Sequence, residues 1–231
     1  MWTELWQPLS LSLVVSIGAT AACVLIGLPL AWLFARHRSR TLAFLEAVIL
    51  LPLVLPPTVV GFGLLVILGR AGLGPSLDAV GLPFLFSLRG ATAAAAVIAL
   101  PLFVLPARAA LAAVDRRTEE SARLDGARPA AVLTRITIPL AWRGLLAATV
   151  LAFARALGEF GATLMVAGSI PGRTQTLPLA IYAAVATGRR EQALGPVLVL
   201  AAIALMAAVL QQGWLRRAPT LDGAGAAASD R

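Results

Sequence analysis

Asp115-Arg116-Arg117-Thr118-Glu119-Glu120-Ser121-Ala122-Arg123-Leu124-Asp125-Gly126-Ala127-Arg128-Pro129 runs into Ala130-Ala131-Val132-Leu133-Thr134-Arg135-Ile136-Thr137-Ile138-Pro139-Leu140, a polar island in an apolar chain. Thr118 can cap a helix, and the acidic residues after it suit a first turn. Gly126 offers a helix stop. The stretch therefore predicts two short helices with a turn at Gly126. Seven of the nineteen arginines lie between residues 108 and 143. A charged loop with this much internal structure is suited to docking onto something.

On either side of the island lie segments long and apolar enough to cross a bilayer, which takes about 20 residues. Five are expected: Leu9–Ala35, Leu42–Leu68, Gly90–Leu111, Leu140–Ala167 and Leu194–Trp214. The fold class is thus an all-α integral membrane protein with five transmembrane helices. A six-span alternative would make Leu177–Ala186 a crossing helix. That stretch is too short to cross, so an outer-face or re-entrant helix is expected there. One transmembrane domain spans residues 9–215, with the polar loop at about 115–139. The tail 216–231, rich in Ala, Gly and Asp after Pro219, is expected to be disordered. Loop 70–88 carries turn signals at Gly72-Leu73-Gly74-Pro75 and Gly81-Leu82-Pro83. No tandem repeat is visible.

Composition agrees. Of 231 residues 59% are hydrophobic and 13% charged, with a mean hydropathy of +0.88. That charged share is about half of a soluble protein's. The net charge of +8 could suggest nucleic-acid binding. The arginines instead sit in short clusters between apolar runs, as the positive-inside rule distributes them. With the amino terminus outside, the inner segments hold Arg36, Arg38, Arg40, Arg108, Arg116, Arg117, Arg123, Arg128, Arg135, Arg143, Arg216 and Arg217. The outer loops hold only Arg70, Arg89, Arg173, Arg189 and Arg190. This asymmetry favours the amino terminus outside and the carboxyl terminus inside. The first apolar run follows Glu4, has no basic residue before Arg36 and exceeds a signal-peptide core of about 7–15 residues, so it reads as a retained span.

Several chemistries are excluded. The chain has no lysine, so it holds neither a Walker A lysine nor a Schiff-base lysine. One histidine, His37, and one cysteine, Cys23, give no basis for a catalytic metal site. Cys23 reads as a small packing residue.

Two stretches within the spans stand out. Leu51-Pro52-Leu53-Val54-Leu55-Pro56-Pro57-Thr58 packs three prolines into six residues, each removing a donor and pressing on a preceding carbonyl. Carbonyls freed in this way are costly against lipid, so the segment should face other helices or a wet cavity. Pro56, Pro57 and Thr58 are candidate path residues, with static packing as the alternative. Gly61 and Gly63 suggest close helix contact. Pro101 and Pro106 repeat the theme in span three. In span four, Arg155 and Glu159 are four apart, which places them on one helix face. Charges at membrane depth usually face a bundle interior or water. The pair either lines a translocation path or locks packing, and Gly158 and Gly161 would admit a close neighbour.

The polar island also resembles the EAA motif of bacterial ABC importer permeases: Glu-Ala-Ala, three residues, Gly, nine residues, Ile, one residue, Leu-Pro. Glu120, Ser121, Ala122, Gly126, Ile136, Ile138 and Pro139 fill it, with Ser121 in place of Ala and Ile138 in place of Leu. Leu51–Gly63 and the run from Arg155 to Tyr182 are similar to molybdate transporter permeases, and more distantly to sulfate/thiosulfate permeases. The resemblance covers nearly the whole chain. It implies a non-enzymatic subunit of the bacterial inner membrane that imports molybdate or another oxyanion such as tungstate. It also implies a homodimer, two ATPase subunits docked on the 115–139 loop as a coupling helix, and an external periplasmic oxyanion-binding protein. No cofactor is implied in this chain, since ATP and Mg would be bound by the partner ATPase. An ion-gradient-driven transporter would instead place ligands at broken helices and lack a docking loop. An intramembrane enzyme would need a nucleophile–base pair or a metal cluster at depth.

Overall fold

The computed structural model describes residues 2–215, with side-chain environments over 5–209. The expected disordered tail, 216–231, lies outside the described residues. Among the described residues all the regular structure is helical: α1 Trp2–Arg36, α2 Arg40–Val54, α3 Pro57–Leu68, α4 Gly74–Ala79, α5 Leu88–Ala112, α6 Arg116–Leu124, α7 Pro129–Val132, a π-helical segment Leu133–Thr137, α8 Ile138–Leu157, α9 Gly161–Ala167, α10 Leu177–Ala186 and α11 Arg190–Leu215.

Among the described residues, four stretches are long and apolar enough to cross a membrane: Leu5–Arg36, Leu88–Ala112, Pro129–Leu157 and Arg190–Val209. A fifth crossing exists if α2 and α3 count as one span, but they are bent by 119°. The expected continuous second span is therefore two helices. Leu55 precedes Pro56, and Pro56 precedes Pro57, and a residue before proline is disfavoured in the helical region. Both adopt extended backbone, with ψ of 142° at Leu55 and 136° at Pro56. Pro57 then opens α3, where its missing N–H is harmless.

The fourth span also differs from expectation. It begins earlier, at Pro129, and ends at Leu157 rather than Ala167. At its start, Pro139 has no N–H to continue the regular ladder, and the wider π turns lie just before it, with Ile138 N–H bonding to Leu133 O. At its end, the chain leaves the helix at Gly158 and restarts as α9. Helix α10 has 10 residues, about 15 Å at 1.5 Å per residue, about half a bilayer core. It falls among the shorter apolar helices, below the length of the spans named above.

The core lies where α1, α5 and α8 meet. Alanines dominate it, among them Ala19, Ala95, Ala99, Ala148 and Ala152, with Phe34, Phe103 and Leu111 filling the wider gaps. In lipid the hydrophobic effect cannot hold helices together, so close backbone approach and dispersion must. A Cβ on Gly144 of α8 would stand 2.4 Å from the Ala110 Cβ of α5, which shows how near these two run. Cys23 is buried here, its thiol 3.4 Å from the Ala96 carbonyl, as a packing residue should be. Ser12 on α1 accepts from Leu177 N at 2.7 Å and so satisfies the start of α10 across 165 residues of sequence. A second, smaller cluster joins Ala94 and Ile98 of α5 to Ala162 and Val166 of α9, with Val60, Leu64 and Leu68 of α3 packed against it.

Candidate coupling loop and translocation face

The polar island folds as a helical hairpin. Asp115 caps α6 by accepting from Arg117 N at 2.9 Å. The expected cap, Thr118, lies inside the helix, because Asp115 is already in the extended conformation a cap needs. Gly126 ends α6 with φ +85°. Its N–H bonds to Arg123 O, and Ala127 N–H reaches back to Ala122 O, both at 3.0 Å. These are the paired bonds of a glycine-terminated helix. Pro129 then opens α7.

Around the turn the EAA-pattern residues take distinct positions. Glu120, Ser121, Gly126 and Pro139 are exposed, while Ala122, Ile136 and Ile138 are half-buried. Leu124, at the hairpin tip, is 89% exposed. Among the described residues, its two chain neighbours aside, no atom lies within 4 Å of where a Gly126 Cβ would sit.

The residue holding the hairpin to the bundle is Glu119. It is buried, and its Oε1 lies 2.5 Å from Arg36 Nη2 at the end of α1. The same oxygen accepts from Thr137 Oγ1 at 2.7 Å, in the π segment. Arg123 approaches the other oxygen at 3.8 Å. In the sequence Glu119 stands out only as a first-turn acid. Its partners lie 83 and 18 residues away, so no local spacing could reveal them. A second tie, between Glu46 of α2 and Arg108 of α5, was equally invisible.

Deeper in the span, Arg155 and Glu159 do meet, with Arg155 Nη2 2.8 Å from Glu159 Oε2. The angles fall outside hydrogen-bond geometry, so charge joins them more than a directed bond. They are not on one helix face, however, because Glu159 lies beyond the end of α8. Its Oε1 accepts from Ala162 N at 2.8 Å and caps α9. Glu159 is buried, and the Arg155 side chain is 28% exposed.

The proline break of span two comes against the break of span four. A Cβ on Gly161 would lie 3.2 Å from Thr58 Cγ2 and 3.3 Å from Pro57 Cβ. One turn on, a Cβ on Gly61 would strike Ala162 Cα at 2.7 Å. Gly61 and Gly161 thus make the expected close contacts, while Gly63 faces open space and Gly158 meets only its own helix. Pro56 and Thr58 are exposed in the single chain. The structure therefore brings Pro57 and Thr58 beside the α9 terminus that Glu159 caps.

A sequence model described as "Binding-protein-dependent transport system inner membrane component" matches residues 24–217. The chain belongs to that family. Within it, the Escherichia coli K12 protein named "Molybdenum transport system permease protein ModB" is 44% identical over 214 residues, covering 92% of this chain and 93% of the relative. The Bacillus subtilis "Putative molybdenum transport system permease protein YvgM" is 41% identical, covering 91% and 94%. A Mycobacterium tuberculosis protein, also named ModB, is 46% identical over 75% of this chain and 66% of its own. Among solved structures, inward-facing conformations of the MetNI methionine ABC transporter superpose with a TM-score of 0.64. They cover 93% of this chain and 95% of theirs at 16% identity. An amino acid ABC transporter crystallised with histidines gives 0.59 at 22% identity, covering 93% and 94%. The fold is thus that of ABC importer permeases, and the family is one of transport components, not enzymes. Among the described residues, no group of three or more His, Cys, Asp or Glu gathers to hold a metal.

Proposed function

We propose that this chain is the membrane-spanning permease subunit of an ATP-driven importer that carries molybdate across the inner membrane by alternating access. The observation that carries this reading is the 44% identity, over 92% of the chain, to a protein named for molybdenum transport.

In this reading two copies form the path, two ATPase subunits bind the cytoplasmic face, and a periplasmic binding protein delivers the oxyanion. The amino terminus lies outside. The hairpin turning at Gly126 is the coupling helix, and Glu120, Ser121, Ala122, Gly126, Ile136, Ile138 and Pro139 shape it. Two features favour docking there. Leu124 projects an apolar side chain from a polar tip, and the space around Gly126 is open for a partner surface. Closure of the ATPases on ATP moves the hairpin and opens the bundle outward, and hydrolysis returns it to face inward.

The path runs past Pro56, Pro57, Thr58, Arg155 and Glu159. Non-helical backbone at membrane depth is tolerated only where protein or a water-filled cavity covers it. Leu55 and Pro56 of the break are exposed in the single chain, so a second copy meeting there across a wet passage would satisfy it. Arg155 offers the passing anion a positive charge, and Glu159 keeps that charge neutralised at rest.

Reconstitution with the ATPase and the binding protein, followed by ATP-dependent uptake of labelled molybdate, tests the proposal. Uptake that needs all three components and is competed by tungstate more than by sulfate is expected. Uptake of sulfate in preference to molybdate, or uptake driven by an ion gradient without ATP, would overturn it.

A further inference from the structure

We propose that Glu119 is a positioning residue that makes α1 part of the coupling lever, by fastening the hairpin's first helix to Arg36 and to the π segment at once. The proposal rests on reading the hairpin as the ATPase-docking element. The chain itself joins the hairpin to α5 on one side and to α8 on the other. It gives α1 no connection to it. Glu119 supplies that connection, at 2.5 Å to Arg36 and 2.7 Å to Thr137. Arg116 adds a contact at 3.4 Å to the Arg36 carbonyl at the end of α1, where cations are favoured.

Burial decides how this contact behaves under load. The Glu119 and Arg36 side chains are 3% and 7% exposed. Parting them would leave two uncompensated charges away from water, which is strongly unfavourable. The tie therefore stays closed while the hairpin moves, and α1, α5 and α8, already joined by the alanine core, turn as one body. Without it, the hairpin's first helix would be held only through its chain connections, and part of a push at Gly126 would shift the hairpin against α1 instead of turning the three-helix core.

The test compares ATP hydrolysed per oxyanion imported in the reconstituted complex, with co-purification of the ATPase as the measure of docking. Glu119→Gln and Arg36→Gln should keep the ATPase bound yet raise that ratio about fivefold or more, the lower range of typical coupling between sites. Arg36→Lys, which retains the charge, should stay near the unaltered protein. A ratio unchanged in both Gln variants overturns the proposal. Should those variants fail to assemble, R36C/E119C in a Cys23→Ala background, bridged by a short reducible thiol reagent, decides the matter. The bridged complex should transport with normal coupling and lose it on reduction. Transport blocked by the bridge means the contact must open, and the proposal falls. Failure of the docking reading looks different: the ATPase would not co-purify with the unaltered chain at all.

Discussion

At Gly126 the backbone, not crowding, limits what can replace it. Its φ of +85° disfavours any side chain, yet a Cβ there would meet nothing within 4 Å among the described residues beyond its chain neighbours. Gly126→Ala should therefore lower stability by only about 1 kcal/mol, the usual penalty for a left-handed residue. Gly126→Trp should insert and fold in the membrane but lose the ATPase on co-purification, since the open space around the turn is where a partner would dock. Normal ATP-driven uptake by Gly126→Trp would remove the turn from the coupling role. At the pair in span four, Arg155→Ala strands a buried Glu159, and Glu159→Ala strands Arg155 and uncaps α9. Each single change should reduce uptake or assembly more than the double change to Ala, because removing one partner of a buried pair is worse than removing both. Uptake equal to that of the unaltered chain in both single variants would make the pair a bystander.

At the scale of elements, the two broken spans depend on how closely α3 and α9 approach. Gly61→Leu should drive them apart and lower the thermal midpoint of the purified protein sharply. Gly63→Leu, facing open space, should leave it within a degree or two, as is usual for surface changes. Equal effects of the two would contradict the packing described. These breaks also mark where the sequence was and was not readable. The apolar runs announced the long helices because bilayer thickness demands them. Gly126 announced its turn because few other residues fit there. The proline run read as a kink, and became a 119° bend because two successive residues each precede a proline. The end of α8 was hidden, since a four-residue spacing serves a helix face and a cap equally well. Glu119 was hidden for a different reason: two adjacent glutamates look alike until tertiary partners single one out. The motif's spacing pointed to Glu120, and the structure buries Glu119.

For the molecule as a whole, α2 buries no residue within the single chain. Phe44 and Val54 are 73% and 84% exposed on it, and Phe62 of α3 is 57% exposed. Such a surface must meet lipid or a second copy, and the exposed proline break beside it favours the second copy. Cysteines introduced singly at Leu53 and Val59 in a Cys23→Ala background should crosslink between copies in the membrane. Cysteines at Leu25 of α1, which lines a groove with Phe153 of α8 and Ile203 of α11, should not. The reverse pattern would move the path elsewhere.

The account as a whole depends on the hairpin being the point where ATPase motion enters the bundle. Its most direct measurement places a photo-crosslinking residue at position 126 in the assembled complex and identifies what it captures from the cytoplasmic side. An adduct with the ATPase subunit, in yield that changes when ATP is trapped, is the predicted result. Capture of no other subunit, or labelling of position 126 only from the outer face, would contradict the account.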